Sequence, residues 1–233
     1  MTQKNRKKAA FLGQTIRENR VYFSTYFILL TVGVFLLSRI PQGDEDLFFV
    51  QFRGSIWDDI FKWATKLAEP YFISAALIFL LFINFRKATS LLVTVLIVLA
   101  TAGLTKLLFR HNRPVLYFDK LNRLHELTPV QGIQLLTGDT SFPSGHTMAA
   151  FAFFTLLALQ TKSKGLTAAL YILLAASVGL SRIYLGQHFL KDVVAGSIIG
   201  VLIALITYLL FERLADRPKW NRNLISVFKR KQA

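Results

Sequence analysis

Ser141-Phe-Pro-Ser-Gly-His146, running directly into the apolar stretch Met148 to Leu159, is the part of the chain around which the rest can be read. The apolar stretch suits a membrane helix, so Pro143, Ser144 and Gly145 are expected at its first turn. Backbone N–H groups there have no intrahelical partner, and such a terminus attracts anions. Small residues let a ligand approach the backbone, and His146 adds a group that exchanges a proton near neutral pH. The stretch reads as a phosphate seat with an acid beside it. Taken alone, it equally suits a plain turn that caps a helix.

Composition sets the surroundings. Of 233 residues, 53% are hydrophobic, and the mean hydropathy is +0.45, far above soluble practice. The expected fold class is all-α, a polytopic membrane protein. A net charge of +15 and a pI near 10.3 would suggest nucleic acid in a soluble chain, but no basic stripe is interleaved with polar surface, so no nucleic-acid partner is expected. There is no cysteine, which removes disulfides and thiolate metal sites from consideration.

Six membrane spans are expected: Val21 to Leu37, Tyr71 to Phe85, Ala88 to Phe109, Gly145 to Gln160, Gly165 to Leu180 and Phe189 to Phe211. The first follows a basic opening that resembles a signal peptide, but its length and the lack of a small-x-small cleavage site point to a retained anchor. Ala9, Phe11, Leu12 and Ile16 suit a segment lying on the membrane surface. Pro70 opens the second span, and Arg86 with Lys87 closes it. Between spans one and two, Ile56, Ile60, Trp63 and Leu67 recur near helical spacing after a start at Ser55 and Asp58, which predicts a short interfacial helix. Gly196 and Gly200, four apart in the last span, suit a close helix contact. The loop from Arg110 to Phe142 is too long for a mere connection.

Six spans place both termini on one side, and the charges agree. Segments 1–20, 86–87, 161–165 and 212–233 hold 17 of the 28 Lys and Arg residues and three of the 13 acidic ones. By the positive-inside rule this side is cytoplasmic. His111, His125, His146 and His188 all fall opposite. The expected organisation is a basic cytoplasmic segment at 1–20, one six-span domain at 21–212 and a basic cytoplasmic tail at 213–233.

Two further stretches bring charged groups to the outer face. Lys106 and Arg113, roughly two helical turns apart, suit one anionic ligand, since a guanidinium presents a planar fork of donors and an ammonium a compact charge. Lys106 alone would equally suit a lysine that snorkels. In Ser181-Arg182-Ile-Tyr-Leu-Gly-Gln-His188-Phe-Leu-Lys-Asp192, a helix would set His188 and Asp192 on one face, a carboxylate holding one ring nitrogen and freeing the other. An ion pair at a helix start is the plainer alternative, and Arg182 alone would serve as an interfacial anchor. Clustered together, cations, two histidines, a helix terminus and a carboxylate suit phosphoryl transfer without a metal or other cofactor.

These residues resemble the three-part signature of the type-2 phosphatidic acid phosphatase superfamily: Lys106, six residues, Arg113-Pro114; then Pro143-Ser-Gly-His146; then Ser181-Arg182, five residues, His188, three residues, Asp192. No signature position departs from the pattern. The resemblance implies that His188 attacks phosphorus and is transiently phosphorylated, that Asp192 orients it, and that His146 protonates the leaving oxygen. It also implies that Lys106, Arg113, Arg182, Ser144 and the Gly145 N–H hold the phosphate, and that no metal takes part.

The expected function is therefore a lipid phosphatase of a bacterial cytoplasmic membrane with an outward-facing site. Undecaprenyl diphosphate is the favoured substrate, with phosphatidylglycerol phosphate, phosphatidic acid and lipid A 1-phosphate as competitors. A lipid phosphotransferase would use the same pocket. A carrier that holds lipid phosphate without cleaving it is the alternative of another class. The vanadium haloperoxidases share the signature, but soluble members of that kind have no need of six spans.

Overall fold

The computed structural model describes residues 3–162 and 164–231. Residues 1–2 and 232–233 of the expected basic ends fall outside it, as do the side chains of Lys4, Arg6, Lys7, Lys8, Ala9, Ser55, Lys229, Arg230 and Lys231. Among the described residues the chain is all-helical: α1 (Gln3–Glu18), α2 (Arg20–Leu37), α3 (Asp44–Val50), α4 (Ser55–Lys66), α5 (Pro70–Ile83), α6 (Phe85–Phe109), α7 (Pro114–Lys120), α8 (Gly145–Gln160), α9 (Leu166–Tyr184), α10 (Leu190–Glu212) and α11 (Leu224–Lys231).

Four of these helices, α2, α6, α9 and α10, are long and apolar enough to cross a membrane, and α4 with α5 makes a fifth candidate bent by 49°. The expected six spans differ in two places. The region between the first two spans holds two helices, α3 and α4, and α4 leads into α5 through a 49° bend, the pair being together long and apolar enough for one broken span or a re-entrant loop. Ile56, Trp57, Ile60 and Trp63 of α4 are exposed, so its apolar stripe faces outward, and the side that packs is carried by Phe61, stacked on Tyr184 at 4.3 Å. The second boundary shift lies at Asn84. Its extended backbone ends α5, and its side chain accepts the Lys87 N–H to cap α6. Arg86 and Lys87 thus open the third helix instead of closing the second.

The sixth apolar helix, α8, is short and central. Its 16 residues reach about 24 Å, less than the ~30 Å of a bilayer core. Eleven of them are buried, because a helix that is apolar on every side can be satisfied only by neighbours all round. By contrast Tyr22 is the one buried residue in α2, where the outer face of Phe27, Ile28, Val34 and Phe35 is exposed as a lipid-facing surface would be. Tyr22 reaches inward to Thr155 of α8, oxygen to oxygen at 2.6 Å.

Two glycines let α10 lie against α8. A Cβ on Gly196 would meet the Ser144 carbonyl oxygen at 2.7 Å, and one on Gly200 would meet the Met148 carbonyl oxygen at 2.5 Å and the Ala152 nitrogen at 3.0 Å. The expected close contact at these positions is present, and the neighbours are backbone atoms that cannot swing away. At its other end α8 is closed by lysines: Lys87 donates to the Gln160 carbonyl, and Lys164 to the Ala158 and Leu159 carbonyls and to Asn19. Cations suit that end of the helix dipole. The tail returns to this same end, where Phe85 and Arg86 donate backbone N–H groups to the Arg222 and Trp220 carbonyls.

Gly200→Ala is expected to destabilise the fold by about 1–3 kcal/mol, the usual cost of overpacking. Gly103→Ala, whose Cβ would meet nothing within 4 Å, is expected to leave the melting temperature in detergent unchanged or slightly raised. Thermal unfolding of the two variants side by side checks this.

Candidate active site

The N-terminus of α8 forms the floor of the site. Ser144 is the cap residue, one position earlier than a first-turn placement, and its hydroxyl accepts from the Thr147 hydroxyl at 2.9 Å and the Thr147 N–H at 3.4 Å. Gly145 is the first helical residue. The Lys106 ammonium lies 3.9 Å from where a Gly145 Cβ would stand, so it sits beside the first turn of α8.

Lys106 and Arg113 do come together, but not as two turns of one helix. The helix ends at Phe109, and Arg110 takes a left-handed backbone with φ of 43°. The chain turns there, and Arg113 becomes the extended cap of α7. Its guanidinium donates to the Gln187 carbonyl at 3.1 Å and to the Thr140 carbonyl at 3.3 Å. The 110–142 loop thereby ties the first stretch to the third.

His188 and Asp192 also meet by a different route from the helical one. Helix α10 starts only at Leu190, with Phe189 as its cap, so His188 stands in the link before it. Asp192, in the first turn, reaches back to accept the Phe189 N–H at 3.0 Å. The same oxygen, Oδ2, lies 3.5 Å from His188 Nδ1 and accepts the Ser141 hydroxyl at 2.5 Å. Ser141 Oγ is 3.4 Å from the same Nδ1. Nδ1 is thus engaged on the carboxylate side, which assigns the proton to Nδ1 and the lone pair to Nε2.

Arg182 completes the cluster. It is buried, and its Nη1 donates to the Thr65 hydroxyl at 2.7 Å. Its Nε has no partner among the described residues, nor has Asp192 Oδ1. His146 is the second residue of α8, next to Gly145 and the Lys106 ammonium, and the His188 N–H bonds the Arg182 carbonyl. All eight residues expected from the sequence therefore converge: His146, His188, Asp192, Lys106, Arg113, Ser144, Gly145 and Arg182. Among the described groups, three cations face a helix terminus with one buried carboxylate behind them. That arrangement is chemically suited to an anion, with an imidazole beside it.

Burial pushes the pKa of His188 down to about 4, with Asp192 opposing the shift through its contact and charge, and with Arg182 adding to it. The ring is thus neutral at pH 7.

Two contributors lay outside the sequence reading. Ser141 opens the quoted stretch, yet its hydroxyl carried no assignment. Thr65 lies 117 residues from Arg182, and no motif connects them.

A family model described as the PAP2 superfamily matches residues 87–216. Over 70 residues the chain is 44% identical to the "Bacitracin transport permease protein BcrC" of Bacillus licheniformis, covering 30% of this chain and 33% of that protein. It is 37% identical over 71 residues to the "Phosphatidylglycerophosphatase B" of Bacillus subtilis (27% and 35%), and 34% identical over 84 residues to a "Lipid A 1-phosphatase" of Porphyromonas gingivalis (35% and 19%). The chain thus spans about a third or less of the length of these curated relatives. Among solved structures, Aquifex aeolicus LpxE aligns with a TM-score of 0.57 at 27% identity, over 70% of this chain and 91% of that one. The phosphatidylglycerolphosphate phosphatase of Bacillus subtilis aligns with a TM-score of 0.57 at 21% identity, over 86% and 98%, a likeness of fold.

His188 is expected to titrate near pH 4 in NMR of ring-labelled protein, and Asp192→Asn, which removes the opposing charge, to shift it lower still. Because a free imidazole titrates near ~6.5, this burial contributes stability that is fully present above that value. It is lost as pH falls from ~6.5 through about 4, and acid unfolding of wild type in detergent should steepen across that window.

Proposed function

The chain belongs to the PAP2 superfamily, and on that premise we propose that it is an integral membrane lipid phosphatase, hydrolysing a lipid phosphate or diphosphate through a phosphohistidine. The observation that carries this reading is the buried His188, engaged at Nδ1 by Asp192 and Ser141, beside three cations, Lys106, Arg113 and Arg182. A carboxylate behind a neutral imidazole serves an attacking group, and cations in front of it serve a phosphate.

In the proposed reaction the phosphate rests on the first turn of α8, held by the Ser144 hydroxyl, the Gly145 N–H and the three cations. Nε2 of His188 forms a bond to phosphorus as the bond to the leaving oxygen breaks. With the phosphate's negative charge among the cations, His146 takes up a proton from solvent and gives it to that oxygen, and Asp192 stabilises the charge left on the His188 ring. Water then attacks the phosphohistidine, His146 takes the water's proton, and inorganic phosphate departs. No step calls for a metal.

The six-span topology belongs to this proposal. Residues 21–212 form the phosphatase domain, flanked by basic cytoplasmic ends at 1–20 and 213–233, in a bacterial cytoplasmic membrane with the site facing outward. The lysine charges and the tail contacts at the far end of α8 support it. A helix shorter than the bilayer core, with the phosphate seat at its outer end, suits a headgroup that remains near the membrane rim. An apolar cavity of about 300 Å³ between α5, α6 and α8, lined by Ile73, Leu77, Val95, Val98 and Phe153 among others, supports a lipid rather than a soluble substrate. Undecaprenyl diphosphate is our first choice, since an outward site is placed to return undecaprenyl phosphate for reuse. Phosphatidylglycerol phosphate, phosphatidic acid and lipid A 1-phosphate come next.

The relative whose name is that of a transport permease favours a second reading, a carrier that binds lipid phosphate without cleaving it. For a carrier the His188–Asp192 pair would be superfluous.

Purified protein in detergent, given a panel of these lipid mono- and diphosphates without magnesium, is expected to release phosphate, most rapidly from undecaprenyl diphosphate. Release from none would overturn the hydrolase, and a phosphorylated lipid product would make the protein a transferase. His188→Ala should abolish turnover, whereas a carrier would keep transport. Asp192→Asn should lower the rate by ~10³- to 10⁴-fold, the scale of losing an orienting carboxylate. Arg182→Lys should also lower it, because a point charge replaces a fork. Millimolar chelator should leave the rate intact; loss with recovery on adding one metal would contradict the metal-free scheme.

A further inference from the structure

Helix α3 contacts the two helix ends that flank His188. The five-residue link Leu185–Phe189 joins the C-terminus of α9 to the N-terminus of α10. On the α10 side, the buried Glu45 accepts the Leu190 N–H through Oε1 at 3.0 Å, while its Oε2 accepts the Gly43 N–H at 2.8 Å. Phe189 has no side-chain acceptor to cap α10, so Glu45 supplies one from a different part of the chain. On the α9 side, Arg53, just beyond α3, donates Nη2 to the carbonyl of Tyr184, the last residue of α9, at 3.2 Å. A third tie runs from the Lys191 ammonium to Gln42 Oε1 at 2.7 Å.

The charges have the sense that the helix ends require. A carboxylate stands at the N-terminus of α10 and a guanidinium at the C-terminus of α9, each complementing the local dipole. Within the link, the Gln187 and His188 N–H groups bond the Arg182 carbonyl, and Asp192 holds the Phe189 N–H. These bonds fix the link to each helix separately. Glu45 and Arg53, eight residues apart, span from one helix to the other.

We propose that α3 is a staple for the nucleophile, with Glu45 and Arg53 as positioning residues that hold the ends of α9 and α10 at one separation and so aim His188. Neither side chain reaches the phosphate seat; both act through the backbone on which His188 is carried. The inference rests on His188 being the nucleophile, and the test distinguishes the two.

Phosphate release from the best substrate of the panel is measured for Glu45→Ala, Glu45→Gln, Arg53→Ala, Arg53→Lys and His188→Ala. Misaiming a reacting group by about 1 Å costs up to ~100-fold, so each alanine variant should lose about 10- to 100-fold in kcat with a smaller change in KM, because Lys106 is untouched and Arg113 leans on the link only through the Gln187 carbonyl, with the Thr140 carbonyl still holding it. Glu45→Gln keeps an acceptor for Leu190, and Arg53→Lys keeps a cation for Tyr184, so both should recover most of the loss. The double alanine variant should lose less than the product of the single losses, since both act on one link. Wild-type kcat in both alanine variants, or a KM rise as large as the loss in kcat, with His188→Ala inactive, would overturn the staple. An active His188→Ala would instead overturn the nucleophile assignment. If Glu45→Ala cannot be extracted folded, Arg53→Ala, which removes a half-buried side chain, decides the matter by the same criteria.

Discussion

Backbone meets backbone where α10 crosses the start of α8, and the site is built on that contact. Only glycine fits at positions 196 and 200, where a Cβ would fall within 2.7 Å and 2.5 Å of α8 carbonyl oxygens. The closeness lets the Ser144 N–H bond the Asp192 carbonyl at 3.0 Å. Together with the Ser141 hydroxyl on Asp192, that bond joins the stretch carrying Ser144 and His146 to the stretch carrying His188. In a membrane, where apolar burial does not drive helices together, such close packing and its polar bonds are the available sources of association energy.

Around this contact the polar groups are satisfied from one side and left open on the other. Arg113 is held by carbonyls of Gln187 and Thr140, and Arg182 by Thr65, while Arg182 keeps an unpartnered Nε. Gathering three cations in a low-dielectric bundle, even with the Asp192 carboxylate beside them, costs energy. An anion placed among them relieves that cost, so the surrounding scaffold must be stiff enough to keep the cations together beforehand. The buried, apolar α8 and the lysines that close its far end supply that stiffness.

Several residues that matter to this arrangement left no trace in local sequence. Thr65 and the α3 residue Glu45 sit in an acidic segment that reads as a polar connection with an interfacial helix. Their roles come from contacts more than a hundred residues away in the chain, with Arg182 and Leu190. Ser141 was visible but mute: a hydroxyl before a proline turn suggests nothing until Asp192 arrives within 2.5 Å of it.

What the sequence determined by itself was the class of structure and the identity of the groups that gather at one place in it. Sustained apolar runs admit little except membrane helices, the uneven charges mark one end of the bundle, and residue types at fixed spacings name the cations, imidazoles and carboxylate. The tertiary structure decided how they meet. Lys106 and Arg113 join through a chain turn at Arg110, and His188 meets Asp192 across a helix cap, although both spacings also fit helical faces. Spacing constrains which side chains can be neighbours, but whether a helix continues or stops between them depends on capping bonds and on packing against distant segments, which no local pattern encodes.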